Sequence, residues 1–384
     1  MASRHLAHEE TRRTMKSLRV RLASRSYPIV VGRGAIRYTL TLLQQRRHPV
    51  DTLCVVTTSI VRRLHGERLR QLLERHGYPC KIIVIPDTES SKSITQYQRL
   101  LKHLVHYRAS HQTILIALGG GVVGDLVGFT AATFKRGIPY LQIPTTLLAQ
   151  VDSAIGGKTA IDLPAGKNLV GAFYQPIGVI SDIDCLGTLP TRQIRSGLAE
   201  VVKYGVLGDP TLFRYVEQHA DQLLSGAQED LVWVVIRCQM AKARLVEQDE
   251  YDRRNIRMIL NLGHTIGHAI EAAAAYSRCY DHGQAVAIGM VGAARLSQHL
   301  NICSSSTVQR LTQLLQQLKL PITCPKVPPS RILAAMQHDK KFTSSGNRFV
   351  LPTRIGHVVI HSNIPAHMLH EVVCELAQTK PPRS

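Results

Sequence analysis

Thr113-Ile114-Leu115-Ile116-Ala117-Leu118 runs directly into Gly119-Gly120-Gly121-Val122-Val123-Gly124-Asp125. The first six residues form a short apolar run bounded by a turn signal, the mark of a buried strand. The glycines close it, and helical patterning follows. The segment satisfies G-x-G-x-x-G in the setting that gives the pattern meaning. Glycines let the backbone approach a pyrophosphate, and a helix N-terminus stabilises its charge. A tight strand–helix turn also needs glycine for steric reasons, so the motif alone is weak. The acidic residue expected about 20 residues later in an ordinary Rossmann unit is missing, since Gly137-Ile138-Pro139-Tyr140-Leu141-Gln142-Ile143-Pro144-Thr145 holds no carboxylate. The reading is a dinucleotide site of another type.

Outward from this stretch, Tyr27–Val31, Leu53–Thr57, Lys81–Ile85 and Tyr140–Ile143 are further apolar runs. Between two of them, Ile94, Tyr97, Leu101, Leu104 and Val105 recur at helical spacing. Such alternation predicts a mostly parallel sheet covered by helices. From about Thr191 the pattern changes to successive helical segments: Thr211–Leu224, Leu231–Glu247, Leu260–Ala275, Gln284–Leu300 and Thr307–Leu318. A two-strand signal, Arg348–Leu351 and His357–His361, precedes a last helix. The expected organisation is a flexible leader (1–16), an α/β N-terminal domain with a mostly parallel sheet that binds the dinucleotide (17–190), and a mainly α-helical C-terminal domain (191–384), with a cleft between the two domains.

A chain of 384 residues is long for one core, which agrees with two domains. Hydrophobic residues at 44% and charged ones at 19% describe a globular protein and not a disordered one. No apolar run approaches the roughly 20 residues of a membrane-spanning helix. Met1–Lys16 is polar, lacks the apolar core of a secretory signal, and carries Glu9 and Glu10, which oppose a transit peptide. It reads as a frayed leader, with Met15 as an alternative start. Eight scattered cysteines without a C-x-x-C pair form neither a disulfide framework nor a thiolate zinc site, and suit reduced thiols in the cytoplasm. The formal charge of +20 raises the question of nucleic acid. The basic residues are spread along the chain, aromatics are few, and no helix-turn-helix, RNA-recognition or zinc-finger spacing occurs. A solvated basic surface that attracts anionic ligands is the better reading.

Downstream of the glycine turn come Lys135, Arg136, Thr145-Thr146, Asp152, Gly156-Gly157-Lys158-Thr159 and Gly166-Lys167-Asn168. Cationic side chains beside glycine-rich turns are what a phosphate requires. Gly157-Lys158-Thr159 resembles the end of a P-loop, but the first glycine of that motif would fall at Asp152, so the nucleotide-triphosphatase reading fails.

Three residues of the second half suggest a metal. Glu200 sits in the apolar helical segment Ser196–Lys203, where a carboxylate wants a partner. His264 and His268 are one helical turn apart and share a face. The glutamate of an H-E-x-x-H protease is absent. His282 opens another apolar helix. One glutamate and two histidines with open positions make a catalytic zinc arrangement. With 18 histidines in the chain, spacing alone leaves core or surface histidines as an equal reading.

The residues also carry a resemblance. FKRGIPYLQIPTTLLAQVDSAIGGKTAIDLPAGKNLVGAFYQP (134–176), SGLAEVVKYG from Ser196, LNLGHTIGHAIE from Leu260, HGQAVAIGM from His282 and Asp339-Lys340-Lys341 closely resemble the 3-dehydroquinate synthases, a sugar-phosphate cyclase family of the shikimate pathway. The similarity runs from about Tyr27 to the C-terminal helix, in the family's order. It implies a cytoplasmic homodimeric lyase of chorismate and aromatic amino acid biosynthesis, with NAD on the N-terminal domain and zinc (or cobalt) on the C-terminal one. The implied reaction converts 3-deoxy-D-arabino-heptulosonate 7-phosphate to 3-dehydroquinate and phosphate. NAD takes a hydride from carbon 5, phosphate leaves, the hydride returns, and an aldol step closes the ring. By motif, Glu200, His264 and His282 are the implied metal ligands. Lys158, Asn168, Arg136 (reaching across the dimer), Lys340 and Lys341 are the implied phosphate grip, and Arg257 and Lys242 the carboxylate-binding pair. Asp152, Lys203, Asn261 and His268 match polar positions around the reacting hydroxyls. Glu89, Lys92, Gly119, Gly120, Gly121, Asp125, Thr145 and Thr146 match the cofactor side.

Three features depart from the family. His282-Gly283-Gln284 replaces its His-Gly-Glu. The loop Asp249–Arg257 is one residue longer and lacks its glycine, with Asp252 opposite the family's active-site glutamate. Thr57-Thr58 stands where many members have an acid near the ribose. The rivals are another sugar-phosphate cyclase on the same scaffold, an iron-dependent alcohol dehydrogenase, and a non-enzymatic, basic nucleic-acid-binding protein. Arg257 and Lys242 favour a carboxylated substrate, and the alcohol dehydrogenases usually carry one aspartate and three histidines on the metal.

Overall fold

The structure, a computed structural model, describes residues 15–23, 25–274, 279–337, 342–343 and 346–378. The leader up to residue 14, together with Lys340 and Lys341, lies outside the described residues. The chain forms two compact units, one of residues up to Pro190 together with Leu231–Tyr251, the other of Thr191–Asp230 together with residues from Asp252 onward.

The first unit is built on nine strands: β1 (Lys16–Val20), β2 (Tyr27–Gly32), β3 (Leu53–Thr58), β4 (Cys80–Ile85), β5 (Ile114–Gly119), β6 (Tyr140–Pro144), β7 (Lys158–Leu163), β8 (Gly166–Phe173) and β9 (Val179–Asp182). Seven of them form one sheet in the order β1-β2-β9-β6-β5-β3-β4. Only β1 against β2 is antiparallel, so the expected mostly parallel sheet is present. β3, β5 and β6 are buried at every residue, because helices cover both faces and each side chain has somewhere apolar to go. Cys54, Val56, Leu115 and Ala117 point one way, against Leu100, Leu104 and Val123–Phe129 of the helices Ile94–His106 and Gly121–Thr133. Their neighbours Leu53, Val55, Ile114, Ile116 and Leu118 point the other way, against Leu42, Leu43, Leu69 and Leu73. In the helix Ile94–His106 the buried stripe is Leu100 and Leu104, while Ile94 and Val105 are exposed, so part of the apolar spacing read from sequence faces solvent.

β4 lies on one side of β3 and β5 on the other. The direction of winding reverses there, and in parallel sheets ligands settle at the carboxyl ends of the strands flanking such a reversal. Thr57-Thr58 and Gly119–Gly121 occupy that edge. A Cβ on Gly119 would stand 2.5 Å from Val123 Cγ2, and one on Gly124 2.9 Å from Gln142 Oε1. Both glycines therefore let the helix Gly121–Thr133 pack close to the sheet.

Strands β1 and β9 and the antiparallel hairpin β7–β8 were not anticipated. The Lys158 and Asn168 segments, read as glycine-rich turns, are strands of this hairpin, and Asn168 takes left-handed geometry within it (φ 55°). Most of β8 is exposed or half-buried, so no apolar alternation marks it. The helix Gln228–Gln248 joins this unit through Gln239, whose amide donates to Gln150 O (2.8 Å) and Ser181 Oγ (2.7 Å).

The second unit is mainly helical, as expected, with a small antiparallel sheet β10 (Phe342–Thr343), β11 (Gly346–Arg354) and β12 (His357–Ser362). The segment expected to be one helix over Thr211–Leu224 is two, Pro210–Gln218 and Ala220–Ser225, broken at His219. The His219 ring stacks on Tyr215 at 4.0 Å and bonds its carbonyl (2.9 Å), which holds the break. The helices His264–Ala274 and His282–His299 meet where Gly263 turns with φ +76°, a position at which a Cβ would strike Met290 and Val286. A Cβ on Gly289 would collide with the Gly263 carbonyl. Glycines on both sides thus let the start of the first helix pack directly on the middle of the second. Among the described residues no helix is long and apolar enough to cross a membrane.

Gly119→Ala forces its methyl into Val123, and overpacking of this kind costs about 1–3 kcal/mol. The urea midpoint of the variant should fall accordingly; an unchanged midpoint contradicts the packing role.

Candidate active site

The helix Thr191–Gly208 is apolar on most of its length and carries Glu200 into the interior of the second unit, where the residue is fully buried. A carboxylate there requires compensation. Lys203, one turn on and equally buried, pairs with Glu200 Oε2. The other oxygen, Oε1, faces two histidines, His264 Nε2 at 3.4 Å and His282 Nε2 at 3.2 Å. The ligand atoms of Glu200, His264 and His282 all lie within 4.8 Å of one another.

The proton positions bear on what this cluster could hold. His264 Nδ1 lies 3.0 Å from Leu262 O, and a carbonyl only accepts, so Nδ1 carries the hydrogen. Burial, reinforced by the Lys203 charge, pushes His264 down to about 3, so the ring is neutral. Its Nε2 lone pair therefore faces the Glu200 carboxylate with no proton between them. A cation between the two acceptors relieves that contact, and the outer hydrogen bond is the one that orients metal-binding imidazoles. His282 sits between Glu200 and Glu271 Oε2 (3.2 Å from Nδ1). Burial opposes its charge, but hydrogen bonds to the two carboxylates outweigh it and raise His282 to about 10. Two imidazoles and one carboxylate, each held by a second partner, fit a zinc-like divalent ion.

Around this centre, His268 is exposed, its ring 5.2 Å from that of His264 and 6.2 Å from that of His282. Arg257 is buried on the turn Ile256–Asn261, which also carries Asn261 and packs against the helix Thr191–Gly208. Two contributors went unread in the sequence. Glu271 lies within the quoted histidine motif, seven residues after His264, where helical spacing could have found it. The Asp281–Gln284 pair caps the helix that presents His282, with Gln284 N to Asp281 Oδ1 at 3.1 Å and Asp281 N to Gln284 Oε1 at 3.0 Å. A capping box takes Gln or Glu alike at this position, so the departure at Gln284 keeps the cap.

In the first unit, Lys92, Asp125 and Asn168 come together. The buried Lys92 ammonium donates to Asp125 Oδ2 (2.8 Å) and Asn168 Oδ1 (2.5 Å). Burial opposes its charge, yet Asp125 outweighs it and raises Lys92 above its ordinary value. Asp162, not foreseen, accepts from Asn168 N (2.8 Å) and stands 4.0 Å from Lys92 Nζ. Asp152 and Lys242 also meet, with Lys242 Nζ donating to Asp152 O (2.6 Å) and Oδ1 (2.7 Å). Lys158 and Arg136 are exposed, and Lys135-Arg136 both take positive φ before Gly137. Glu89 lies on the turn before Lys92 and is 3.9 Å from Lys167. Thr145 N donates to Gly119 O (3.0 Å), and the Thr146 methyl would lie 3.3 Å from a Cβ on Gly120. Among the described residues Thr57 Oγ1, buried at the end of β3, has no hydrogen-bond partner.

Comparison with known proteins agrees with this architecture. In a solved 2-deoxy-scyllo-inosose synthase complexed with carbaglucose-6-phosphate, NAD+ and Co2+, the likeness covers 94% of this chain and 100% of that one, at 25% identity and TM-score 0.85. For the 2-epi-5-epi-valiolone synthase of Streptomyces hygroscopicus subsp. jinggangensis with NAD+ and Zn2+ bound, the values are 93% and 98%, 26% and 0.83. The fold is thus that of the sugar-phosphate cyclases. Residues 82–196 match the family model described as 3-dehydroquinate synthase N-terminal, and residues 197–342 the C-terminal one. The 3-dehydroquinate synthase of Neisseria gonorrhoeae is 45% identical over 346 residues, 90% of this chain and 95% of the relative. The chain belongs to the 3-dehydroquinate synthase family.

Two predictions follow from the geometry. Glu271→Gln should weaken divalent-metal binding about 10–100-fold, as loss of an outer-shell carboxylate does; competition with a chromophoric chelator measures it, and unchanged affinity contradicts the role. Because His282 must shed a proton to ligate, metal affinity should rise with pH through neutrality, by up to about tenfold per unit. A flat profile between pH 6 and 8 is the contrary result.

Proposed function

We propose that this chain converts 3-deoxy-D-arabino-heptulosonate 7-phosphate to 3-dehydroquinate and phosphate as a lyase of the shikimate pathway, using NAD and a divalent metal. The observation that carries the reading is the Glu200–His264–His282 cluster in a chain 45% identical to a 3-dehydroquinate synthase. A metal held there supplies Lewis acidity toward substrate hydroxyls and the ketone. NAD held at Gly119–Gly121, Asp125, Thr145 and Thr146, with Glu89 and Lys92 beside it, supplies a transient hydride acceptor.

The chain's own residues do the remaining work. Lys158, Arg136 and Asn168 bind the phosphate that leaves, with Lys340 and Lys341 assigned to the same grip. Asn168 arrives with its backbone fixed by Asp162 and its side chain by Lys92. Arg257 and Lys242 bind the carboxylate, where a planar guanidinium engages both oxygens. Asp152, Lys203, Asn261 and His268 orient the reacting hydroxyls, and Lys203 pairs with the Glu200 carboxylate. A homodimer with Arg136 reaching the partner's site goes with this reading, and exposed, strained Lys135-Arg136 supports it. So does a cytoplasmic location, which suits eight free thiols. By sequence the division is 17–190 for the dinucleotide and 191–384 for metal and substrate, although Leu231–Tyr251, with Lys242, packs in the first unit and Arg136, Asp152, Lys158 and Asn168 contribute to the substrate site from there.

Purified protein given heptulosonate phosphate and NAD should release phosphate, and a chelator should stop it. Failure under any metal condition refutes the activity, whereas chelator-insensitive turnover refutes the metal assignment alone. Loss of a hydrogen-bonded charge costs about 1.5–3 kcal/mol. Arg257→Ala should therefore raise the substrate KM about ten- to hundredfold while NAD affinity stays unchanged; an unchanged KM removes Arg257 from the carboxylate site.

A further inference from the structure

A second concavity lies in the first unit, at the end of the sheet away from Gly119–Gly121. It has a volume of about 800 Å³. Pro28, at the start of β2, and Ile177, just before β9, line it, which places it at the amino ends of the parallel strands. Four guanidinium-bearing residues surround it: Arg19 and Arg21 from β1 and the residue after its end, Arg46 beyond the helix Tyr38–Gln44, and Arg244 from the helix Gln228–Gln248. Among the described residues none of the four has a carboxylate within salt-bridge distance. Glu247, the one acid in the lining, accepts instead from the backbone N–H of Arg21 at 2.7 Å. The half-buried Arg46 is held below its ordinary value by burial and by the nearby Arg25. The floor between these charges is apolar, with Leu42, Ile177 and Met240.

Arginines that line one concavity without a carboxylate partner are stabilised by a ligand of opposite charge, and guanidinium groups engage phosphate and carboxylate in paired hydrogen bonds. We propose that this groove binds a small organic polyanion, an apolar body bearing two or more carboxylate or phosphate groups. Its size suits a molecule larger than a single phosphate. The wall helix Gln228–Gln248 presents Met240, Ala243, Arg244 and Glu247 to the groove on one face, while Lys242 on another reaches Asp152. A ligand in the groove therefore leans on the helix that positions Lys242.

Calorimetry on the full chain, saturated with NAD and inorganic phosphate to fill the sites proposed above, tests this with two probes. Benzene-1,3,5-tricarboxylate represents the carboxylate source and tripolyphosphate the phosphate source. At least one probe should bind with one site per chain, and the better probe names the source. Arg46→Ala/Arg244→Ala should weaken it about tenfold or more, as loss of charged hydrogen bonds does. Arg19→Ala/Arg21→Ala, on the opposite wall, should do likewise and decides the matter if the first pair fails to fold. Lys158→Ala should leave the affinity unchanged. Absence of heat with both probes, equal affinity in the folded arginine variants, or loss of binding in Lys158→Ala overturns the proposal.

Discussion

A carboxylate buried without compensation would cost the fold several kilocalories per mole, and Glu200, fully buried in an apolar helix, is compensated on both oxygens. Its neighbours follow from that constraint. Lys203 takes one oxygen, and His264 and His282 converge on the other. Gly263 and Gly289 meet where the two histidine helices cross, with no room for a Cβ at either position. The Asp281–Gln284 box and Glu271 then set the direction of His282. The centre is a chain of mutual satisfaction that starts from one charge.

The sheet unit answers a different constraint. Strands buried on both faces leave no side chain free for chemistry, so function moves to their ends. The winding reversal beside β3 puts Thr57 and the glycine turn at one such edge. Lys92, Asp125, Asp162 and Asn168 form a hydrogen-bonded group that ties the hairpin β7–β8 to that part of the unit. The basic composition also resolves into places. Some cations are paired within clusters, as Lys92 and Lys242 are, while the four arginines lining the groove have no carboxylate within salt-bridge distance among the described residues.

Much of this was legible in the sequence. Continuous apolar runs such as Ile114–Leu118 declare doubly covered strands, whereas Glu200, His264 and His282 stood out as metal ligands through the family resemblance, spacing alone leaving core or surface histidines as an equal reading. What stayed hidden depends on tertiary contacts. The exposed strand β8 has no apolar rhythm to read, and the break at His219 is made by its ring stacking on Tyr215. Glu271 and Asp162 act through a partner far along the chain or across a turn, so their roles appear only once the partners are in place. Gln284 reads as the loss of a charge in sequence and as a retained helix cap in structure. Lys340 and Lys341 remain assigned by resemblance alone.

The central claim is that Glu200, His264 and His282 are the metal ligands. X-ray absorption on the zinc-loaded protein tests it most directly. The account predicts a first shell of oxygen and nitrogen with two imidazoles at about 2.0–2.1 Å, falling to one in His282→Ala. A shell containing sulfur, or an imidazole count unchanged by that substitution, would contradict it.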